Sequence, residues 1–172
     1  MYLKLKRTII LSLLHLGIND MSVIVFGERL KELMALENLS RRALASKTKL
    51  QRKSILNWLE GKYYPRYDAL ITLSNFLKVD IDYLLGLSDE NSYNCTVKRC
   101  ETKNVPERFI GILSNFLCEK GKTKYRLAKD LEMGQTTVER WFTSNGMPET
   151  ATLIKLAKLM KESVDYLLGR EY

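Results

Sequence analysis

Apolar residues recur at helical spacing along most of the chain. The first clear stripe places Phe26, Leu30, Leu33 and Met34 at i, i+4, i+7 and i+8, which predicts an amphipathic helix. Further stripes of the same kind follow, separated by short polar breaks. The pattern therefore predicts an all-α protein built from short helices.

The stripes repeat at an offset of 83 residues. This offset aligns Trp58 with Trp141 without a gap, and it pairs two identical closing segments, Asp-Tyr-Leu-Leu-Gly, at 82–86 and 165–169. Apolar positions are kept between the copies while polar surface positions differ, which is typical of one fold present twice. We therefore expect two tandem domains of five helices each.

The domains are predicted at 22–88 and 106–172, with a polar, nearly charge-balanced linker at 89–105. Residues 1–21 form a leader in which basic residues precede a short apolar run. A bilayer span needs about 20 apolar residues, and no small-x-small cleavage site follows, so a membrane or targeting role is disfavoured. The leader is interpreted as an extra helix or as an annotation artefact, with Met21 as the alternative start.

Within each domain the second and third helices are separated by a tight turn. They are predicted near 41–48 and 52–60, and again near 124–131 and 135–143. Ser40 is predicted to cap the first of these helices, and Gly61 suits the turn that ends the second. The closing helices are predicted to be capped by two further polar residues, Asp80 and Ser163.

Four aromatic side chains receive structural predictions. Trp58 and Trp141 lie on the inner side of the third helix of each domain and are predicted to be core residues. Tyr83 and Tyr166 lie in the closing helices. For them we expect a core position, with a contact to a partner subunit as the alternative.

Basic residues are concentrated in the first helix pair. The whole chain carries a net charge of +8 with an isoelectric point near 9.4, which favours a polyanionic partner. Residues 41–62 contain seven basic residues and one acidic residue, a net charge of +6, whereas residues 124–145 carry +1. The charge alone would suit an anionic membrane as well as nucleic acid, but its place on a helix pair favours DNA.

The first helix pair resembles the Cro and phage-repressor class of helix-turn-helix domain, the XRE family. The resemblance rests on Leu44–Ala45, Ile55, Gly61–Lys62, Pro65 and the ending 79–86, and covers roughly 26–86. It implies a lambda-repressor-like domain whose third helix enters the major groove of double-stranded DNA. The sequence departs from the usual family pattern at two positions: Arg41 replaces a Gln, and Leu59 replaces a Glu.

The resemblance also implies which side chains contact DNA. Arg and Lys suit the edge of guanine, and Asn and Gln suit adenine, whereas flanking cations suit phosphates. The predicted base-reading residues are Gln51, Arg52, Lys53, Asn57, Gln135, Thr136 and Arg140. The predicted phosphate contacts are Arg41, Arg42, Lys49, Lys62 and Lys124.

The predicted function is that of a sequence-specific DNA-binding transcriptional regulator, a repressor by analogy with the family. The alternative is a protein-interaction or antitoxin-like module, in which the second domain is a degenerate copy that binds a protein partner. A homodimer or a protein partner is expected, if present, to use the closing helices. No small-molecule ligand is implied.

Several other function classes are disfavoured. The chain has no Gly-rich phosphate loop, no metal-ligand cluster and no His near a nucleophile, so no enzyme and no cofactor is predicted. Three cysteines and one distant histidine, His15, do not make a zinc site. Idle thiols suit a reducing cytoplasm, which is the predicted location.

Overall fold

The structure is a computed structural model that describes residues 18–91, 104–144 and 146–170. Most of the predicted leader and linker lies outside these residues. The described ranges contain ten helices and no strand, so the all-α prediction is confirmed. The helices are α1 Ile18–Leu36, α2 Arg41–Thr48, α3 Arg52–Leu59, α4 Tyr67–Leu77, α5 Ile81–Leu84, α6 Val105–Glu119, α7 Lys124–Asp130, α8 Gln135–Thr143, α9 Thr150–Met160 and α10 Val164–Leu167.

The ten helices form two series of five, α1–α5 and α6–α10, as the repeat predicts. The chain nevertheless divides into two compact units between Tyr63 and Tyr64. The first unit contains α1 to α3, and the second contains α4 to α10. Helices α4 and α5, which belong to the first repeat by sequence, thus share a compact unit with the whole second repeat.

In the first unit, α1 packs closely against α3. Phe26 and Leu30 of the predicted stripe are fully buried, and Trp58 is 4% exposed, which confirms its core position. Gly27 marks the closest approach, because a Cβ atom built there would lie 2.6 Å from the carbonyl oxygen of Trp58. A residue without a side chain therefore allows the two helix backbones to meet.

In the second unit, the corresponding stripe of α6 is also buried. Phe109 and Leu113 are fully buried, and the ring of Phe109 meets Trp141 edge-on, with 6.1 Å between the ring centroids. Trp141 is 4% exposed, so its predicted core position is confirmed. The aromatic pair anchors α8 to α6, since edge-to-face rings attract beyond their buried area.

Two of the three predicted helix caps are present. The Ser40 hydroxyl accepts a hydrogen bond from the backbone N–H of Ala43 at 3.1 Å, and the Ser163 hydroxyl accepts one from Tyr166 at 2.9 Å. Asp80 lies at the N-cap position of α5, but its side chain makes no capping bond. The prediction for Asp80 is therefore wrong, because a carboxylate from α10 takes that role, as described below.

The prediction of a core position is also wrong for Tyr166, whose side chain is 45% exposed. Helix α10 has only four residues, and Val164 and Leu167 already occupy its buried face. The ring of Tyr166 consequently faces away from the core. Its counterpart Tyr83 is half-buried.

The described residues were also compared with the requirements of a membrane span and of a metal site. Across the three described ranges, none of the helices combines the length and the apolar composition that crossing a membrane requires. Within the same residues, no group of three or more His, Cys, Asp or Glu side chains is placed to hold a metal ion. Cys118 is exposed as a free thiol, whereas the two other cysteines lie outside the described residues.

Candidate nucleic-acid interface

The turn between α2 and α3 is short and internally hydrogen-bonded. Lys49 ends α2 in the left-handed conformation, at φ 60°. The Thr48 hydroxyl donates to the Leu44 carbonyl oxygen at 2.6 Å and accepts a bond from the Leu50 N–H at 3.4 Å. Three residues, 49–51, separate the end of α2 from the start of α3, which is a turn length typical of a helix-turn-helix.

The second repeat builds the same turn between α7 and α8. Glu132, which the offset of 83 residues pairs with Lys49, is also left-handed, at φ 56°. The Met133 N–H donates to the Ala128 carbonyl oxygen at 2.8 Å, which closes the turn. The backbone of the motif is therefore present twice, and the two copies differ in their side chains.

The start of α3 is the most open part of the first motif. Gln51, Arg52 and Lys53 are all exposed, because Ile55 and Trp58 occupy the buried face of the helix. Gln51 lies at the N-cap position but makes no capping bond, so its amide is available to a ligand. The structure thus brings together, at the front of α3, three of the four predicted base-reading residues of the first motif.

A group of open cations surrounds this helix start. Its five members are exposed and make no ion pair or hydrogen bond through their side chains with any residue that the structure describes. An unneutralised group of like charges attracts a polyanion, and DNA presents phosphates at regular spacing. The open cations are Arg41, Arg42, Lys49, Arg52 and Lys53.

The other predicted residues of the first motif are engaged within the protein. The Lys62 amine lies 2.6 Å from a Glu60 carboxylate oxygen. The Asn57 amide donates to the Tyr63 hydroxyl at 3.0 Å, and its oxygen accepts from Lys62 at 3.5 Å. Asn57 is half-buried, so it does not stand free at the outer face as predicted. Tyr63, 46% exposed, was not predicted from the sequence.

All three base-reading positions of the second motif are exposed, and one of them is engaged within the protein. The Gln135 amide donates to a Glu139 carboxylate oxygen at 2.6 Å, within the same helix. Thr136 and Arg140 are exposed. To bond an adenine, the Gln135 amide would first have to break its hydrogen bond to Glu139. The net free energy gained from the adenine contact is therefore smaller.

Several cations of the second repeat have a partner inside the protein. Asp130 holds the Lys122 amine at 2.7 Å and the Arg126 guanidinium at 3.1 Å. The hydrogen bond from Lys122, helped by the two positive charges, lowers the pKa of the Asp130 carboxyl below its usual range. The Lys124 amine stands over the Phe142 ring, 4.1 Å from its centroid.

Two family models match the chain, one in each repeat. Residues 27–90 match a family described as a helix-turn-helix domain, and residues 113–167 match one described as helix-turn-helix. An uncharacterised HTH-type transcriptional regulator of Bacillus subtilis, YqaE, is 33% identical over 87 residues, which cover 73% of its length. The chain belongs to the XRE-type helix-turn-helix family. It is a tandem member, with one motif in each repeat.

A second curated relative of this tandem helix-turn-helix protein is longer. It is the HTH-type transcriptional activator BcrR of Enterococcus faecalis, 33% identical over 88 residues. The match covers 51% of the chain and 43% of that relative. No solved structure matches the chain at a significant level. The helix-turn-helix matches and the names of these relatives support a DNA-binding transcriptional regulator, and the first motif carries the more open basic surface.

Proposed function

We propose that this regulator is a sequence-specific repressor whose first motif supplies most of the attraction to DNA. Helix α3 enters the major groove, where Gln51, Arg52 and Lys53 contact base edges. The second motif adds Thr136 and Arg140. Occupation of an operator then excludes polymerase, so regulation requires binding and no catalysis. The protein acts in the cytoplasm.

The open cations carry this proposal. Five exposed cations lie within thirteen residues, on α2, the turn and the start of α3, and none is paired with a described acid. Each cation that neutralises a phosphate releases a counterion from DNA. Arg41, Arg42 and Lys49 flank the helix and suit phosphates, while Arg52 and Lys53 lie where a base edge would be.

The test is DNA selection with the full chain, followed by affinity measurements at several salt concentrations. Arg52→Ala should cost about 1–3 kcal/mol of specific binding and relax the preference at one base pair. The double substitution Arg41→Gln and Arg42→Gln should weaken binding to all sequences and flatten the salt slope by up to about 1.8. If Arg52→Ala leaves both the affinity and the selected sequence unchanged, α3 is not the reading helix.

A matched pair in the second motif serves as the control. Lys124→Gln with Arg126→Gln removes the same number of charges, but Arg126 is already paired with Asp130 and Lys124 stands over Phe142. We expect a much smaller change of slope than for the first pair. An equal change would show that both motifs contribute phosphate contacts equally.

A second candidate function is supported by the internal pairing of the second motif. Because Asp130 and Glu139 occupy side chains that would otherwise contact DNA, this motif suits a protein partner better than the first motif does. In that case the chain would be an antitoxin-like or partner-binding module. Substitution of Thr136 and Arg140 by Ala would then leave the selected DNA sequence unchanged, whereas a second reading helix predicts an altered half-site.

The direction of regulation needs its own measurement, since one relative is named as an activator. A reporter gene placed behind the selected site should be less active when the chain is expressed. Increased reporter activity would overturn the repressor assignment and leave the DNA-binding assignment intact.

A further inference from the structure

Helices α5 and α10 meet at their N-terminal ends within the second compact unit. An Asp165 carboxylate oxygen accepts from the backbone N–H groups of Ile81 at 2.7 Å and Asp82 at 3.2 Å. In return, an Asp82 carboxylate oxygen accepts from the Asp165 N–H at 3.2 Å. Asp82 and Asp165 are equivalent in the repeat, so each closing helix is capped by the aspartate of the other.

A buried arginine completes the contact on one side. The Arg170 guanidinium lies 3.0 Å from an Asp165 carboxylate oxygen, and the two side chains are 1% and 0% exposed. It also donates to the Ser74 hydroxyl and, at 3.3 Å, to the Asn75 side-chain oxygen. Ser74 in turn donates to the Val79 carbonyl oxygen. A buried charge of this kind is tolerated because it is paired and hydrogen-bonded.

These partners of Arg170 do not repeat. The offset of 83 residues places an apolar residue opposite the arginine and removes the acceptors from the corresponding helix. The three offset pairs are Arg170 with Leu87, Ser74 with Ala157, and Asn75 with Lys158. The aspartates are symmetric, but the arginine and its two acceptors on α4 are present only once.

This asymmetry decides which closing helices fit together. Two copies of α10 meeting in the same way would bring Arg170 against Ala157 and the cation Lys158. The buried guanidinium would keep Asp165 but lose its Ser74 and Asn75 acceptors and meet a like charge. Two copies of α5 would have no arginine at all beside their aspartates. Only the unlike pair supplies both the cation and the two acceptors on α4, which is how specificity against wrong partners arises.

We propose that the face formed by α5 and the end of α4 is an interaction surface specific for α10 and Arg170 of the same chain. The partner of each closing helix is the unlike repeat, and Arg170 with Asn75 selects that partner. The closing helices are then occupied within one molecule, so they do not join two copies of the chain. This inference does not depend on DNA binding.

The experiment uses the full chain with a specific protease site introduced between residues 92 and 103. After cleavage, the two pieces should remain together on gel filtration with light scattering, at the mass of one chain, 20.0 kDa plus the inserted site. Dilution of the nicked protein, with one piece carrying a fluorophore, gives the dissociation constant. The same measurement is then made on variants.

Substituting Asn75 by a cation and by an anion distinguishes an electrostatic effect on Arg170 from a general disruption of the packing. Asn75→Lys brings a cation to Arg170 and should weaken association by about 10- to 100-fold. Asn75→Asp offers an anion at the same place and should keep or tighten it. Lys158→Asn alters the equivalent position of α9, which does not meet Arg170, and should leave the dissociation constant unchanged.

Helical circular dichroism of each nicked variant checks that its pieces are folded. The proposal is overturned if the wild-type pieces separate at micromolar concentration, or if either piece pairs with itself as strongly as with the other. It is equally overturned if Asn75→Lys and Asn75→Asp weaken association to the same extent, since that result would assign Asn75 a purely structural role.

Discussion

Asp130 forms ion pairs with both Lys122 and Arg126 and offsets part of their positive charge. Asp130→Asn keeps the shape of the side chain but releases the two cations. We therefore expect a salt slope steeper by about 1–2 for DNA binding by the full chain. Glu132→Gln is the control, because it makes the same change of charge two residues along the chain, and no described ion pair involves Glu132. Equal slopes for the two variants would show that net charge alone matters.

The lowered pKa of Asp130 adds a pH dependence to this contact. Because the pKa in the folded state lies below the unfolded value of 3.8, the stabilisation is fully present above that value. It is lost as the pH falls through the lower folded pKa. The difference in urea midpoint between wild type and Asp130→Asn should accordingly shrink in strong acid.

Gly27 and Gly111 give a matched pair of helical glycines. Gly27→Ala places a methyl group 2.6 Å from the carbonyl oxygen of Trp58, so α1 must move away from α3. We expect a loss of about 1–3 kcal/mol in the free energy of unfolding. Gly111 is exposed on α6 with no atom within 4 Å of the added carbon, and Gly111→Ala should stabilise by about 0.5–1 kcal/mol. Urea denaturation measures both effects, and equal shifts would contradict the close packing.

Single residues also show where sequence reasoning reached its limit. The exposure of Arg52 and Lys53 could be predicted, because Ile55 and Trp58 fix the buried face of α3. The engagement of Asn57 by Tyr63 could not, since the two residues are six apart and meet across the turn at Gly61. Helical periodicity relates neighbours three or four residues apart and says nothing of a side chain that returns from a turn.

At the scale of elements, the cap of α2 can be tested directly. The Ser40 hydroxyl satisfies a free N–H group at the start of α2, so Ser40→Ala should lower the free energy of unfolding by about 1 kcal/mol. Ser46→Ala makes the same chemical change in the exposed middle of the same helix, and should be neutral or slightly stabilising because Ala favours helix. Thermal melts of both variants compare the two, and a larger loss at Ser46 would rule out the cap.

The helices themselves were largely predictable, whereas the cap of α5 was not. The observed bounds of α2, α3, α7 and α8 agree with the sequence within a residue, because apolar periodicity and turn residues specify short helices locally. The cap of α5 comes from Asp165, 84 residues from the N–H group of Ile81 that it bonds. Asp80 had the right residue type and position, so nothing in the local sequence indicated that a distant carboxylate would replace it.

For the whole molecule, the unlike reading positions predict an asymmetric binding site. The two motifs differ at every proposed pair: Arg52 against Gln135, Lys53 against Thr136, and Asn57 against Arg140. A selection with the full chain should return two unlike half-sites, bound by one chain per site. The stoichiometry can be measured by light scattering of the complex. A palindromic site bound by two chains would contradict both this prediction and the pairing of unlike closing helices.

Because α5 and α10 pair within one polypeptide, dilution does not take them apart. A regulator that must first assemble from two molecules responds to the square of its concentration when protein is scarce, so its target is controlled as a switch. When both recognition helices belong to one chain, occupancy of the target site rises in direct proportion to the protein concentration. Its target would be tuned gradually, and halving the number of gene copies would roughly halve occupancy of an unsaturated site.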